Sequence, residues 1–359
     1  MFANFACGDG IFGGWRITDM KLAANTVSFW FNNARHVSLP QSLFPAVLSV
    51  CLAANHLEFS FLYAMLAVVG VGFTHLGMNL LDDYFDYKNQ QLAIREELAE
   101  NNTFARIGKC DYLLSGKATV KELFVVASLF LLVAVSIGAV VSLHRGIVIV
   151  WIVLLGGFLG VFYSAKPFSF GYHGFGELLV GTMFGPLLMG GVFYACCGTY
   201  SMQVALLSTA VGLLVTNILF THSILDYHPD KQTGKKTLAV LIRSKKGLFV
   251  VACLFNSLPF VLVGLGIYIC CFPLVYLLVF LALPMAGGLI YLLAAFFRSP
   301  QRSFSPSWWM LPMENWEKIS RAGIDWFMIR WYLSRNLTMF FCLLAMLAAL
   351  VHLITDGMV

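Results

Sequence analysis

The chain has 359 residues, of which 59% are hydrophobic, 15% aromatic and 11% charged, with a formal net charge of +5 and a mean hydropathy of +0.81. Soluble domains carry roughly a quarter charged residues, so this composition excludes a soluble enzyme and identifies a membrane protein. The basic excess is read as the charge of one membrane face, not as a nucleic-acid-binding surface.

In chain order, residues 1–37 mix Trp15, Phe29, Trp30 and Phe31 with Arg16, Lys21 and Arg35, the pattern of a segment lying at the membrane interface. No cleavable leader is expected, since the first long apolar run begins near Ser38. Nine apolar runs follow, at about 38–56, 59–81, 121–143, 146–164, 175–197, 203–225, 247–270, 273–297 and 336–355. Each is long enough to cross a hydrocarbon core of ~30 Å at ~1.5 Å per residue. Lipid offers no partners to backbone N–H and C=O groups, and runs of this length do not alternate as barrel strands do, so the spans are predicted to be helices. The expected fold class is all-α: a multi-pass integral membrane bundle of nine helices. Eight of them fall in a core at 38–297, and the ninth with a short tail at 336–359. The intervening segment 298–335 holds five of the eight tryptophans, Trp308, Trp309, Trp316, Trp326 and Trp331, and reads as an interfacial cytoplasmic loop.

Orientation follows from the 23 Lys and Arg residues, because Arg145 alone falls on one side of these nine spans. Positive residues accumulate in cytoplasmic loops, which puts the N-terminus and the long loops in the cytoplasm and the C-terminus outside. The nine cysteines show no CxxC spacing and read as small hydrophobes rather than metal or redox groups.

The chemistry is concentrated at the cytoplasmic ends of the second and sixth spans. NLLDDYFDYKN (79–89) carries Asp82, Asp83 and Asp86, and ILDYHPDK (224–231) carries Asp226 and Asp230. Residues four apart share a helical face, so Asp82 with Asp86, and Asp226 with Asp230, each present two carboxylates to one point. Asn79, one turn earlier, adds a neutral oxygen. Pro229 is expected to end the second helix early and leave Asp230 on a turn. One such cluster would pass for a solvated helix end. Two clusters near lipid, where like charges repel and carboxylates are costly, point to a bound cation. Hard oxygen ligands of this kind suit Mg²⁺ bridging to a diphosphate. Lys231, Lys235 and Lys236 in DKQTGKKTLAV (230–240) would compensate that anion as point charges, and Arg106, Lys109 and Lys117 offer a parallel set in the first loop. Glu177, His75 and His222 are further polar groups at or near span ends: Glu177 reads equally as functional or as a carboxylate at a helix N-terminus, whereas His75 and His222 read first as hydrogen-bonded structural histidines and second as groups that orient an acceptor hydroxyl or take the ring proton.

These motifs resemble those of the UbiA-type intramembrane prenyltransferases. NLLDDYFDYKN is similar to the first aspartate-rich motif of that family and DYHPDKQTGKKTL to the second. ARHVSLPQSLFPAV (34–47), which contains Arg35, and YLLSG (112–116) are similar to two further family segments. YSAKPFSFGYHGFGELLVGTMFGP (163–186) resembles the branch that prenylates 1,4-dihydroxy-2-naphthoate. Asp82 stands where the family usually has asparagine, and Lys166 where that branch has a small residue. The resemblance implies a bundle in the bacterial inner membrane. It implies Mg²⁺ held by Asp83, Asp86, Asp226 and Asp230, and a polyprenyl diphosphate and an aromatic acceptor as partners. Asn79, Asp82, Arg35, Lys109, Tyr163, Lys166, Lys231, Lys235 and Lys236 are the expected substrate contacts. Metal and lysines would stabilise the diphosphate as it leaves, with Tyr163 offering its π face to the allylic cation. Hydroxybenzoate, a chlorophyll-like ring or a glycerol phosphate are alternative acceptors. An ion-coupled transporter is the rival reading from another class, and would hold its acids at mid-span.

Overall fold

The structure, a computed structural model, describes residues 26–88, 110–300 and 302–356. Among these residues the fold is all-helical, with a single isolated backbone bridge between His173 and Lys236 outside the helices. The main helices are α1 (Pro40–Ala53), α2 (Phe61–Lys88), α3 (Val120–Arg145), α4 (Ile147–Ser164), α5 (Gly176–Cys197), α6 (Met202–Leu225), α7 (Lys245–Tyr268), α8 (Leu274–Arg298) and α9 (Asp325–Asp356). α2 to α9 are the eight helices long and apolar enough to cross a membrane, so the chain is a multi-pass integral membrane protein.

Two predicted spans differ from their helices. The first, expected over 38–56, is a helix of 14 residues, about 21 Å long and short of the hydrocarbon thickness on its own. His36 and Ser38 sit in a separate 3-10 turn before it, and the polar stretch around Asn55 and His56 follows its end. Instead of facing lipid alone, α1 packs against α9, α5 and α2. The last helix starts at Asp325, not near 336. Arg330 and Arg335 interrupt the hydropathy there, yet Arg330 is fully buried. It donates to the carbonyls of Leu292 (2.9 Å) and Trp326 and stacks 5.3 Å from the Phe296 ring. Carbonyl and π partners thus let the helix run on through a charged residue. Trp326 and Trp331 consequently lie on the first turns of α9, while Trp308 is exposed.

α6 is the hub, with 72% of its most apolar stretch buried, whereas α3 and α4, at 11% each, turn most of their surface outward. Leu129, Leu132, Trp151 and Leu154 belong to that outward face, as expected where the solvent is lipid. α5 approaches α6 closely through small residues. A Cβ on Gly212 would lie 2.7 Å from the Gly181 carbonyl oxygen, so the GTMFG run (181–185) lets the backbones meet. Pro186, which lacks an N–H, falls in a π turn over Met183–Leu187 within α5. A reciprocal amide pair, Asn217 with Asn256 at 3.1 and 3.3 Å, ties α6 to α7. At the end of the bundle away from the aspartates, Arg145 donates to the carbonyls of Ala195, Cys196 and Glu58 at 3.0, 2.6 and 3.0 Å. This single basic residue caps the C-terminus of α5.

Candidate active site

The first motif is the last two turns of α2. Asp83 and Asp86 are 2% and 8% exposed, and Asp226 and Asp230 of the second motif 4% and 2%. Four carboxylates are therefore taken out of water at one end of the bundle, which is costly unless cations or donors face them.

Donors come from three segments. From the N-terminal side, Arg35 Nη2 lies 3.2 Å from Asp82 Oδ2, 3.2 Å from Asp83 Oδ1 and 2.8 Å from the Asn79 carbonyl. Burial alone would lower the pKa of this guanidinium, but the charges of Asp83, Asp82 and Asp86 outweigh it and raise it further. Arg35 adopts a left-handed backbone (φ 58°), strained for a residue with a Cβ. The Asn79 amide stabilises this turn by donating to the Ala34 carbonyl (3.0 Å) and Ser38 Oγ (3.2 Å). From the first loop, Tyr112 donates to Asp83 Oδ2 at 3.1 Å. Burial, then the Asp83 charge, push the tyrosine pKa well above its usual value, so the phenol keeps its proton. From the α4–α5 connection, Ser164 donates to Asp82 Oδ1 and Tyr172 donates to Asp86 Oδ1 at 2.6 Å.

The second motif is built differently from the expectation. α6 stops at Leu225, and Asp226 breaks it with a non-helical backbone. A short helix, Tyr227–Gln232, then carries Pro229 and Asp230. Asp230 therefore sits on a separate helical turn, and its N–H donates to the Asp226 carbonyl at 2.9 Å. Pro229 fits in the first turn of that helix, where its missing N–H has no partner to lose. His222 Nδ1 lies 3.4 Å from Asp226 Oδ2.

The α4–α5 connection joins the two motifs. Tyr172, whose hydroxyl holds Asp86, accepts the Lys236 N–H on its carbonyl at 3.0 Å, and Lys235 Nζ lies 5.7 Å from its ring centre. Tyr163, packed on Gly171, lies in the field of Asp82 and Asp86 from the first motif and of Asp230 from the second. Glu177 is structural here. Its Oε1 accepts from Ser223 Oγ (2.7 Å) and the Leu238 N–H (3.0 Å), fixing α5 to α6 and to the second loop. Thr237 caps the helix Leu238–Ile242.

Of the expected site residues, Arg35, Asn79, Asp82 and Asp83 form one network, and Asp86, close by on the same helix, is held by Tyr172. Tyr172 connects it to the segment bearing Asp226, Asp230, Lys235 and Lys236. Lys231 and Lys166 are exposed, and Lys166 makes no hydrogen bond or ion pair among the described residues. Lys109 lies outside the described residues. Tyr112, Tyr172 and Ser164 were not singled out by sequence reasoning, although each falls in a segment that carries the family resemblance.

Among the described residues, no three His, Cys, Asp or Glu side chains converge tightly enough to enclose one ion. That suits Mg²⁺, which retains waters and takes one or two carboxylates per ion while substrate phosphates supply the rest. Asp83 with Asp86, and Asp226 with Asp230, are the buried carboxylates that could contribute to such a site. An apolar cavity of about 260 Å³ lies between α2, α3, α4 and α5. It is lined by His75 and Met78 of α2, Leu131 of α3, Val153 of α4, and Phe184 and Leu187 of α5. Met78 is one turn from Asp82, so the cavity starts where the carboxylates end. An anionic head and a long hydrocarbon tail would both find a matching surface.

Residues 42–313 match the model of the UbiA prenyltransferase family. The chain is 26% identical to 1,4-dihydroxy-2-naphthoate octaprenyltransferase of Bacillus subtilis (strain 168) over 69% of its length and 76% of that protein. It is 27% identical to the Escherichia coli (strain K12) protein of the same name over 63% of its length and 72% of that protein. Among solved structures, the fold is shared with a digeranylgeranylglyceryl phosphate synthase (TM-score 0.59, 18% identity, 91% of this chain and 98% of that one). It is also shared with a UbiA homolog from Archaeoglobus fulgidus bound to GPP and Mg²⁺ (TM-score 0.50, 15% identity, 86% and 99%). The match runs from α1 through α8 into the segment that follows, and takes in every carboxylate of the site: the chain belongs to the UbiA prenyltransferase family.

Proposed function

We propose that the protein transfers a polyprenyl group from a polyprenyl diphosphate to 1,4-dihydroxy-2-naphthoate at the cytoplasmic face of a bacterial inner membrane. The observation that carries this reading is the set of four buried carboxylates, with an apolar cavity that reaches to within one turn of Asp82. The naphthoate relatives, similar over most of their length, support the acceptor.

Asp83, Asp86, Asp226 and Asp230 would hold the divalent cation. When bound, that cation neutralises the diphosphate and makes it a better leaving group. Lys231, Lys235, Lys236 and Lys109 supply further positive charge to the outer oxygens. Arg35 Nη2 pairs with Asp83, and Tyr112 and Tyr172 fix the carboxylate rotamers, so little reorganisation is needed as charge develops. The cavity takes the isoprenoid chain and excludes water from the allylic carbon as its C–O bond weakens. Tyr163, which packs on Gly171 in the field of both motifs, would stabilise positive charge through its ring. The electron-rich acceptor ring then attacks the allylic carbon, diphosphate leaves with the electrons of the C–O bond, and the attacked ring carbon releases a proton, or its carboxylate as CO2, to restore aromaticity.

Membranes containing the protein, supplied with Mg²⁺ and a polyprenyl diphosphate, should convert 1,4-dihydroxy-2-naphthoate in preference to 4-hydroxybenzoate when the two compete, read by mass spectrometry. Exclusive prenylation of hydroxybenzoate, or of a glycerol phosphate, would overturn the naphthoate assignment.

A further inference from the structure

His75 lines the cavity one helical turn before Asn79, on the face of α2 that leads to the aspartates. Its hydrogen bonds determine which ring nitrogen carries the hydrogen. His75 Nε2 lies 2.8 Å from Ser38 Oγ. The Ser38 hydroxyl has one hydrogen, and it is donated to the Arg35 carbonyl at 2.7 Å. The same Ser38 oxygen already accepts from Asn79 Nδ2 at 3.2 Å. Only a lone pair remains to face His75, so Nε2 is the N–H and donates to Ser38. In the neutral ring Nδ1 is then a bare acceptor, and it is buried with no hydrogen-bond partner in the protein. The ring is held in this orientation from the other side by Phe184 of the π turn, packed edge-on with centroids 5.6 Å apart.

An unsatisfied acceptor beside an apolar cavity is costly to keep, and here it lies one turn from the motif that faces the diphosphate. We infer that His75 Nδ1 accepts a hydrogen bond from a hydroxyl of the aromatic acceptor, fixing the ring where the cavity meets the carboxylates. This rests on the prenyl-transfer reading. The chain selects a hydroxylated aromatic through this lone pair, and the network Arg35–Ser38–Asn79 sets the tautomer. The same turn that positions Asp83 through Arg35 thus also prepares the acceptor site.

The test pairs a variant with a substrate change. The protein is assayed with the hydroxylated acceptor and with its mono-O-methyl ethers, which have lost one donor each. Wild type should show a KM about tenfold higher for the ether of the contacted hydroxyl, as expected for one lost hydrogen bond. His75→Phe, which retains a ring and no acceptor, should raise the KM for the hydroxylated acceptor by about the same factor and should no longer distinguish it from the ether. The KM for the polyprenyl diphosphate should stay within about twofold, which also reports that the variant is folded. His75→Gln offers an amide N–H to Ser38 and a carbonyl acceptor, and should restore the discrimination. If His75→Phe separates hydroxyl from ether as strongly as wild type, the inference is overturned while the prenyl-transfer reading stands. If wild type prenylates no hydroxylated aromatic, that reading itself falls and this inference with it.

Discussion

Tyr172 touches both aspartate-bearing segments: its hydroxyl donates to Asp86 Oδ1 at 2.6 Å while its carbonyl accepts the N–H of Lys236 at 3.0 Å. One residue of the α4–α5 connection therefore fixes the distance between two motifs that lie far apart in sequence. Tyr172→Phe deletes the first bond and leaves the second. A hydrogen bond to a charged group contributes roughly 1.5–3 kcal/mol, so kcat/KM for the diphosphate should fall about tenfold to a hundredfold with little change in thermal midpoint. Full activity in this variant would show that the clamp does not matter to turnover.

Asp83, Asp86, Asp226 and Asp230 are buried in a way that Asp82 is not. Replacing any of the four with Asn should lower turnover at least about a hundredfold, the scale of losing a main electrostatic stabiliser. EDTA should silence the wild type until Mg²⁺ returns. Asp82→Asn should be milder, since Asp82 Oδ2 faces Arg35 and Oδ1 faces Ser164: an asparagine oxygen can still accept from Arg35, while its amide can donate to the Ser164 hydroxyl. Activity retained in all five variants would move the diphosphate site elsewhere.

The aspartates could be read from the sequence because their spacing of four is a helical period set against apolar runs, and both signals are local. What holds them could not. Tyr112 reaches Asp83 across 29 positions and Tyr172 reaches Asp86 across 86, and beyond their place in segments that resemble the family, nothing in the sequence distinguishes these two of 13 tyrosines from packing residues. Backbone strain was equally hidden. Arg35, Cys110 and Ser169 all take positive φ, and each lies at or just before a residue that holds an aspartate, with no glycine to signal the turn. The early start of α9 was masked for another reason: hydropathy scores Arg330 as a break, whereas carbonyl and aromatic partners absorb its charge.

Close approach of α5 and α6 depends on Gly212, since a Cβ there would lie 2.7 Å from the Gly181 carbonyl oxygen and backbone cannot move aside as a side chain can. Gly212→Val should destabilise the bundle by at least about 1–3 kcal/mol, read as a lower thermal midpoint in detergent. Gly287→Ala, where the added methyl meets open space, should leave the midpoint unchanged or raise it slightly. Equal midpoints for wild type and Gly212→Val would mean that the helices do not cross at these residues.

Topology can be checked without substrate. The sequence puts every basic residue but Arg145 on one face of a nine-span chain, while the structure makes α1 a helix of 14 residues packed against α9, α5 and α2. Reporter fusions following residue 359 should read external and those near Lys21 cytoplasmic if α1 crosses with its neighbours. An external N-terminus together with an external C-terminus would make α1 re-entrant, leaving the eight longer helices as the spans, whereas a cytoplasmic C-terminus would put the aspartate end of α2 outside and overturn the cytoplasmic site.

Lys166 bears on the choice of acceptor. It is exposed and follows Ser164, the residue that holds Asp82, by two positions, so its flexible stem starts at the edge of the carboxylate network. A cation there can pair with the carboxylate of an incoming aromatic acid, and a charge-assisted contact is worth roughly 1.5–3 kcal/mol. Lys166→Met keeps the length of the stem and removes the charge. It should raise the KM for a carboxylated acceptor about tenfold to a hundredfold while leaving the KM for the diphosphate nearly unchanged. A decarboxylated analogue, which has nothing to offer the ammonium, should be indifferent to the substitution. If the variant treats both acceptors as wild type does, Lys166 only snorkels to the interface at the end of α4, and the carboxylate must be recognised by another cation. Should the diphosphate KM rise instead, Lys166 belongs with Lys235 and Lys236 on the donor side of the site.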